Sequence, residues 1–257
     1  MLDPNTTAKI GLAAWELRDR LKTGTRKVRR RLNSGKFGIA IFGAGGTGKS
    51  TLGNLLDESF DPTIPPKAYK ASIDTETYWL KSNDSQSLFV APGQEGRQGY
   101  WYRVLDEVSQ KRKVLLIHVV AAGYHATETK ITDVEAYLQR CAQDEQRLFE
   151  DLLTSVRQFQ MPLSMITVVA KQDLWYEHRD EVRAFYEDGK YAETVADLRG
   201  IKGAQNFQHE FVYTSLTVQN LKDKSGQIIA ANTAGYDLAL HTESLNYLFE
   251  VLERLMK

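Results

Sequence analysis

Residues 43–51 read GAGGTGKST and directly follow an apolar run, FGIAIFG. Glycines permit backbone conformations that are closed to other residues, so successive N–H groups of such a loop can turn towards one anionic group. The pattern G-x-x-x-x-G-K-[ST] is met by Gly43, Gly48, Lys49 and Ser50. In this pattern the lysine reaches the β and γ phosphates of a nucleotide, and the hydroxyl binds Mg²⁺. The sequence therefore predicts a phosphate-binding loop made by Gly43, Ala44, Gly45, Gly46, Thr47, Gly48, Lys49, Ser50 and Thr51.

A second group of candidate residues follows two later apolar runs. TVVAKQD ends with Lys171 and Asp173, directly after a predicted strand. A carboxylate there can accept hydrogen bonds from both the N1–H and the 2-amino group of guanine, and adenine does not offer that pair of donors. The Lys171 stem can lie along the base. YTSL ends the next run, where the backbone at Ser215 and Leu216 can donate an N–H to the guanine carbonyl oxygen. These residues favour guanine nucleotides, which the loop alone does not distinguish from adenine nucleotides.

Strand and helix patterns alternate between these motifs. The predicted strands are 37–43, 67–73 continuing toward Leu80, 88–91, 113–120, 163–170 and 210–215, and the predicted helices are 49–58, 95–110, 131–159, 178–188 and 240–256. Continuous apolar runs are typical of strands buried on both faces of a parallel sheet, whereas 67–91 indicates an antiparallel hairpin. The alternation predicts a doubly wound α/β fold: a mostly parallel, six-stranded sheet with helices on both faces.

The first 35 residues have a different character. Ile10, Ala14, Leu17 and Leu21 recur at helical spacing, which predicts an amphipathic helix over 6–22. The basic run RKVRRR, Arg26 to Arg31, follows. We therefore expect a helical, basic extension over 1–35 ahead of one domain over 36–257. The basic run is either a solvated helix end packed on that domain or an arm that binds an acidic membrane surface, nucleic acid or an acidic partner.

The bulk composition limits the classes of function. Lysine and arginine balance aspartate and glutamate, 33 against 33, so the whole chain carries no specific signal for nucleic acid. The single cysteine excludes an internal disulfide framework and fits a reducing compartment. No apolar stretch approaches the roughly 20 residues of a membrane span, and the N-terminal residues do not have the pattern of a signal peptide. We therefore expect a cytoplasmic protein.

The motifs of residues 37–257 resemble those of a small GTPase of the Ras/Rab/Arf-like group. GAGGTGKS is similar to the phosphate loop of that group, FDPTIPP to its first switch and APGQE to its second switch. AKQD and TSL resemble its guanine-selecting segments. This resemblance implies the phosphate-loop GTPase fold, GTP or GDP as ligand, Mg²⁺ as cofactor, and a protein effector or regulator as partner.

The resemblance also implies roles for individual residues. Thr63 would bind Mg²⁺ beside Ser50 and sense the γ-phosphate, and the Gly93 N–H would contact that phosphate. Gln94 would orient the attacking water, so that Gln94, Lys49 and Thr63 form the catalytic set. Tyr100, Trp101 and Tyr102 follow the second switch, and either a partner-facing patch or packing on the sheet explains them.

Three departures from the resemblance bear on activity. Val90 stands where the group has an aspartate that holds a water bound to Mg²⁺, and Ala170 stands where it has asparagine or threonine. Thr63 follows Ser50 by 13 positions (63 − 50), which is a short first switch. Loss of an outer partner of a metal typically costs about 10–100-fold in affinity. We therefore expect weaker retention of Mg²⁺, unless Asp61 or Asp74 substitutes.

These observations favour a guanine-nucleotide switch that hydrolyses GTP slowly and changes its affinity for partners through two switch segments. A non-hydrolysing scaffold is the alternative; Val90 would then record the loss of catalysis, and the basic run and the helix 131–159 would bind partners. A phosphate-loop ATPase or kinase is disfavoured because it would leave Lys171, Asp173 and the TSL segment without a role.

Overall fold

A six-stranded, mostly parallel sheet lies at the centre of the computed structural model. The described residues are 37–56, 76–78, 88–93, 99–127, 129–157 and 159–257, with residues 19, 23, 24 and 26–28 in the N-terminal part. The strands are β1 (Phe37–Phe42), β2 (Glu76–Tyr78), β3 (Leu88–Val90), β4 (Lys113–Val120), β5 (Leu163–Val169) and β6 (Phe207–Tyr213). Their spatial order is β2-β3-β1-β4-β5-β6, and only β2 runs antiparallel to its neighbour. The predicted fold class is confirmed.

Helices cover both faces of the sheet. They are α1 (Lys49–Leu55), α2 (Gly99–Ser109), α3 (Val134–Val156), α4 (Gln172–Trp175), α5 (Arg179–Glu187), α6 (Lys190–Lys202) and α7 (Leu238–Leu255), with a 3₁₀ turn at Tyr176–His178. Successive strand side chains point to opposite faces. Ile39 and Ile41 therefore join an apolar cluster with α1 and α7, whereas Ala40 and Phe42 join a second cluster with α2, α3 and α6.

The parallel strands end at nearly the same level. Phe42 of β1 pairs with His118 of β4, and Val169 of β5 pairs with both Val120 and Tyr213 of its two neighbours. The loops that follow β1, β4, β5 and β6 consequently meet at one edge. Ligands of open α/β sheets bind at this edge, beyond the carboxyl ends of the strands.

Several predicted boundaries differ from the observed ones for local reasons. The helix predicted over 131–159 begins at Val134 because the Asp133 carboxylate caps it, accepting from the Ala136 N–H at 3.0 Å. The strand predicted over 210–215 was placed too late: β6 begins at Phe207, which is buried. The antiparallel excursion is present in β2 and β3, while the strand predicted over 67–73 lies outside the described residues.

The sequence reasoning missed α6 and a short hairpin. The hairpin consists of β7 (Leu221–Lys222) and β8 (Ile228–Ala230), between β6 and α7. A strand of two or three residues is too short to produce a recognisable period, so only the turn residues around Gly226 mark it. This hairpin lies beside the candidate site, as the contacts below establish.

The described residues of the basic extension are helical and pack against α7. Val28 is buried in the apolar cluster that includes Phe249, and Lys27 Nζ lies 3.4 Å from the Glu253 carboxylate. An added Cβ at Gly24 would lie 2.9 Å from Phe249 Cγ. These contacts favour the packed helix end, while the division at residue 35 and an acidic partner for Arg26 to Arg31 stay predictions. Within the described part of the chain, none of the helices combines the length and apolar character needed to span a membrane.

Candidate functional site

The predicted phosphate loop has a backbone that only glycine fits at two positions. Gly43 has φ 141° and Gly46 has φ 77°, in the region that disfavours residues with a Cβ. An added Cβ would lie 2.1 Å from Val119 O at the first position and 2.2 Å from Ala126 O at the second. The loop is therefore pressed against the end of β4 and the segment that follows it.

Lys49 lies within the curve of this loop. Its side chain is only 7% exposed, and its Nζ donates to Ala44 O at 2.6 Å. Gly93 approaches it from the end of β3, since a Cβ added there would lie 2.2 Å from Lys49 Nζ and 2.7 Å from Gly43 O. Gly93 of the predicted second switch is thus beside the ammonium group expected to hold phosphate. Gln94, the next residue, lies outside the described residues.

Trp101 supports the backbone that leads into this second switch. Its indole Nε1 donates to Pro92 O at 3.0 Å, and its ring packs edge-on against Phe42, with the centroids 5.3 Å apart. It is 4% exposed, whereas Tyr102 is 64% exposed. Of the two interpretations of this aromatic cluster, packing accounts for Trp101.

The strand end at Val90 offers no carboxylate to a metal. Val90 is 1% exposed and belongs to the apolar cluster on the α1 face. Across the described ranges, no three His, Cys, Asp or Glu side chains group together as metal ligands. Ser50, at the start of α1, supplies a hydroxyl oxygen, and Thr63 lies outside the described residues. Hydroxyl and phosphate oxygens suit Mg²⁺, which takes hard oxygen ligands and keeps several waters.

Lys171 connects the predicted base-reading segment to the phosphate loop. It adopts a left-handed backbone conformation, φ 59°, and its Nζ donates to Gly46 O at 2.7 Å and to Tyr124 O at 2.5 Å. Burial lowers the pKa of Lys171 to about 8, and the negative charges of Asp173 and Glu145 oppose this shift. The amine thereby holds together the loops that follow β1 and β4.

Ala170 lacks a side chain that could make such a connection. Its carbonyl oxygen instead accepts from the indole Nε1 of Trp175 at 2.8 Å. In this chain, the bond to the phosphate loop comes from the next residue, Lys171.

Asp173 and Ser215, both predicted to read the base, hydrogen-bond to each other. Ser215 Oγ donates to Asp173 Oδ1 at 2.5 Å and accepts from the Asp173 N–H at 2.8 Å. Asp173 is 1% exposed, and burial raises the pKa of its carboxyl group against the effect of these hydrogen bonds. Leu216 follows, and a Cβ added at Gly48 of the phosphate loop would lie 3.2 Å from its Cδ1. The residues predicted to read a base and those predicted to hold phosphate are therefore neighbours.

A buried ionic network behind the loop after β4 was not predicted. Glu145 Oε1 accepts from His125 Nε2 at 2.6 Å and from the Ala121 N–H at 2.7 Å, while Oε2 accepts from Tyr186 at 2.6 Å. Burial lowers the pKa of His125, but hydrogen bonds to Cys141 and Glu145 outweigh it, so the pKa is raised above 6.5. Burial raises the pKa of Glu145, but His125 outweighs it, so the pKa is lowered below 4.5. Glu145 is therefore ionised at neutral pH, and its hydrogen bond favours the protonated form of His125.

This network fixes a segment that touches the phosphate loop. The Ala126 N–H, one residue beyond His125, donates to Gly46 O at 3.1 Å. Gly46 O thus accepts from both Ala126 and Lys171. Glu145 is one of many polar residues in the long helix α3, so nothing in the sequence pointed to this support.

The β7–β8 hairpin closes the side of the site next to the base-reading residues. Asp223 accepts from the Ile131 N–H at 3.2 Å, and Leu221 and Ile229 pack with Tyr137 and Leu174. After the hairpin, the chain returns to Asp173, whose backbone carbonyl accepts from the Thr233 N–H at 2.6 Å. The turn of the hairpin and the residues that follow it are therefore both attached to loops of the carboxyl edge.

Several solved structures are similar to this chain at low sequence identity. No protein-family model matches the chain, and no curated protein matches it. Among solved structures, the mammalian SRP receptor is 17% identical, with 85% of this chain and 99% of that chain covered and a TM-score of 0.45. The small COPII coat GTPase SAR1 from Encephalitozoon cuniculi, in complex with GDP, is 16% identical, with 98% and 96% covered and a TM-score of 0.45. The signal recognition particle receptor SRb-GTP/SRX complex from Chaetomium thermophilum is 16% identical, with 71% and 91% covered and a TM-score of 0.41.

The fold assignment rests on the chain's own sheet topology, in which five parallel strands and one antiparallel edge strand are covered by helices. The function is inferred from the chain's own residues.

Proposed function

We propose that this protein is a guanine-nucleotide switch that hydrolyses GTP slowly to GDP and phosphate. The observation that carries the proposal is the position of Lys171, whose amine bonds to Gly46 O of the phosphate loop while Asp173 lies two residues further on. One short segment thereby serves both ends of a nucleotide. This connection places the segment that can read a base directly against the phosphate loop.

In the proposed site, residues 43–51 surround the phosphates and Lys49 neutralises their charge. The Gly93 N–H meets the γ-phosphate, and Gln94 orients the attacking water. Asp173 accepts from the guanine N1–H and 2-amino group, with Ser215 and Leu216 at the base carbonyl. Phosphoryl transfer depends mostly on positioning and charge stabilisation. A partner that supplies an arginine adds about 10³–10⁵-fold in GTPases that use one, so turnover by this protein alone is slow.

Magnesium is the cofactor that these residues fit, with hydroxyl ligands from Ser50 and Thr63 and oxygens from the nucleotide. When bound, it neutralises charge on the phosphates. Since Val90 is in the apolar cluster rather than at the metal, retention of Mg²⁺ is about 10–100-fold weaker than with an outer carboxylate partner. Fast nucleotide exchange is the expected consequence.

Loss of the γ-phosphate contacts releases the two switch segments, which changes the affinity for a protein effector or regulator. The protein works in the cytoplasm, where the basic run from Arg26 to Arg31 can bring it to an acidic membrane surface or an acidic partner.

Phosphate release under multiple turnover, with GTP and Mg²⁺, tests the proposal. Wild type should release phosphate slowly, Lys49→Ala should lose nucleotide binding, and Gln94→Leu should keep binding and lose hydrolysis. Lys113→Ala is the control for Lys49, because Lys113 is exposed at the opposite end of the sheet. Equal rates in wild type, Lys49→Ala and Gln94→Leu would show that the activity does not come from this site.

One observation favours a second function, a guanine-nucleotide-binding scaffold without hydrolysis. The burial of Val90 among apolar residues leaves the strand end without a group for the metal. The scaffold predicts that bound GTP is recovered intact after hours with Mg²⁺, whereas the switch predicts that it is recovered as GDP.

A further inference from the structure

The acceptor positions of the Asp173 carboxylate are mostly filled by the protein itself. Ser215 Oγ donates to Oδ1 at 2.5 Å, and the Gln219 N–H donates to Oδ2 at 3.1 Å. The Asn232 amide faces two acceptors, Asp173 Oδ2 and Gln219 O, so its nitrogen is the atom directed at them, at 2.8 Å and 3.0 Å. A carboxylate has about four lone-pair sites, and guanine needs two of them. With three donors in place, about one site remains.

Asn232 is the donor that can leave. Its side chain belongs to an exposed residue, whereas Ser215 and Asp173 exchange two hydrogen bonds and are both buried. The Gln219 donor is a backbone group at the start of the hairpin segment. Rotation of one exposed side chain would free the Oδ2 position without moving the backbone.

The neighbouring backbone keeps Asn232 in this position. Its N–H donates to Asn220 Oδ1 at 2.9 Å, and the Thr233 N–H donates to Asp173 O at 2.6 Å. The hydroxyl oxygen of Thr233 is buried and shows no hydrogen-bond partner. This part of the site therefore contains two groups: a carboxylate whose acceptor positions are mostly filled, and a buried hydroxyl group without a hydrogen-bond partner. An unpartnered buried polar group is expected at a site that a ligand completes.

We propose that the Asn232 amide occupies the place of the guanine donors at Asp173, and that it must leave when a guanine nucleotide binds. The inference rests on the proposed function, because it assigns Asp173 to the base. Asn232 then determines the affinity for guanine nucleotides: each binding event exchanges an amide–carboxylate hydrogen bond for the bonds to the base. A net hydrogen bond to a charged group corresponds to about tenfold in an equilibrium constant.

Equilibrium binding of fluorescently labelled GDP, with Mg²⁺, to the full chain tests this inference. Asn232→Ala should tighten binding about tenfold, mainly through faster association, because the competing donor is gone. Asn220→Ala should tighten binding by a smaller factor, since it removes the acceptor that holds the Asn232 backbone. Asn206→Ala is the matched control: Asn206 also makes an amide hydrogen bond, to Lys202 O, but lies before β6 at the opposite edge of the sheet.

The outcomes separate the inference from the function on which it rests. Tighter binding by Asn232→Ala, with Asn206→Ala equal to wild type, supports the inference. If GDP binds to wild type but Asn232→Ala binds it equally or more weakly, the inference is wrong and the proposed function stands. If neither wild type nor any variant binds GDP, both are wrong. Asp173→Ala should abolish GDP binding in the first two cases. This loss would verify that the fluorescence signal reports nucleotide whose base is bound at Asp173.

Discussion

Replacement of Lys171 by methionine would test how the site is held together. Methionine keeps the length and the apolar stem of the side chain and removes the amine, so the two bonds to Gly46 O and Tyr124 O are lost. Gly46 O keeps the Ala126 N–H as a donor at 3.1 Å, so it is not left without a partner. The loss therefore amounts to roughly one hydrogen bond from a charged donor, about 1.5–3 kcal/mol.

This free energy is expected to appear in nucleotide affinity, because the amine holds the phosphate loop in its binding shape. At about 1.4 kcal/mol per decade, Lys171→Met should weaken GDP binding by roughly 10–100-fold. Dissociation of labelled GDP and its equilibrium binding, measured at pH 7 with excess Mg²⁺, give the change directly. Thermal unfolding of the nucleotide-free protein, measured alongside, separates loss of affinity from loss of the fold.

Lys113→Met is the control for this change. Lys113 Nζ also donates to a backbone carbonyl, that of Lys257, at 2.9 Å, but at the opposite edge of the sheet. It should leave GDP binding unchanged. If Lys171→Met binds GDP within about twofold of wild type, the claim that Lys171 organises the phosphate loop is refuted.

Three further predictions concern the phosphate loop, the ionic network and the second switch. Gly46→Ala should weaken GDP binding by more than about tenfold because its Cβ meets a backbone carbonyl at 2.2 Å, whereas Gly226→Ala, with a similar φ of 84° and open space, should bind normally. Glu145→Gln should cost about 3–5 kcal/mol in the free energy of unfolding, or roughly 6–20 °C in melting temperature. The raised pKa of His125 gives stability that is complete below pH 6.5 and fades as pH rises through that pKa, and the lowered pKa of Glu145 gives stability that is complete above pH 4.5. The difference in unfolding free energy between wild type and Glu145→Gln, measured with denaturant, should therefore be largest between pH 4.5 and pH 6.5. A difference that does not change with pH would contradict this prediction. Trp101→Phe removes one hydrogen-bond donor to Pro92 O. It should lower the rate of GTP hydrolysis by roughly 2–12-fold and leave GDP affinity unchanged. Equal losses of hydrolysis and of GDP affinity would show that Trp101 does not act through the second switch.

The sequence was sufficient where chemistry and periodicity are local. The loop of residues 43–51 and its adjoining strand and helix follow from glycine spacing and apolar runs. The pairing of Asp173 with Ser215 could be anticipated because both follow parallel strands, whose carboxyl ends share an edge.

The contacts that complete the site depend on long-range packing, which one sequence does not reveal. The Glu145 side chain supports the loop next to Gly46 from the middle of a long helix. Asn232 reaches Asp173 only because a two-stranded hairpin folds back across the edge. Neither position differs in residue type from an ordinary solvated side chain, so neither pattern indicates its role.

The two described tryptophans lie at opposite ends of the candidate site, and each donates its indole N–H to a backbone carbonyl there. Trp101 bonds to Pro92 O, next to the residues that would sense the γ-phosphate, and Trp175 bonds to Ala170 O, next to those that would read the base. Both rings are buried, so their emission depends on these bonds rather than on solvent contact. The chain thus carries its own optical probes. With Trp15, Trp79 and Trp175 replaced by phenylalanine, the remaining signal follows the state of the phosphate; with Trp15, Trp79 and Trp101 replaced, it follows the arrival of the base.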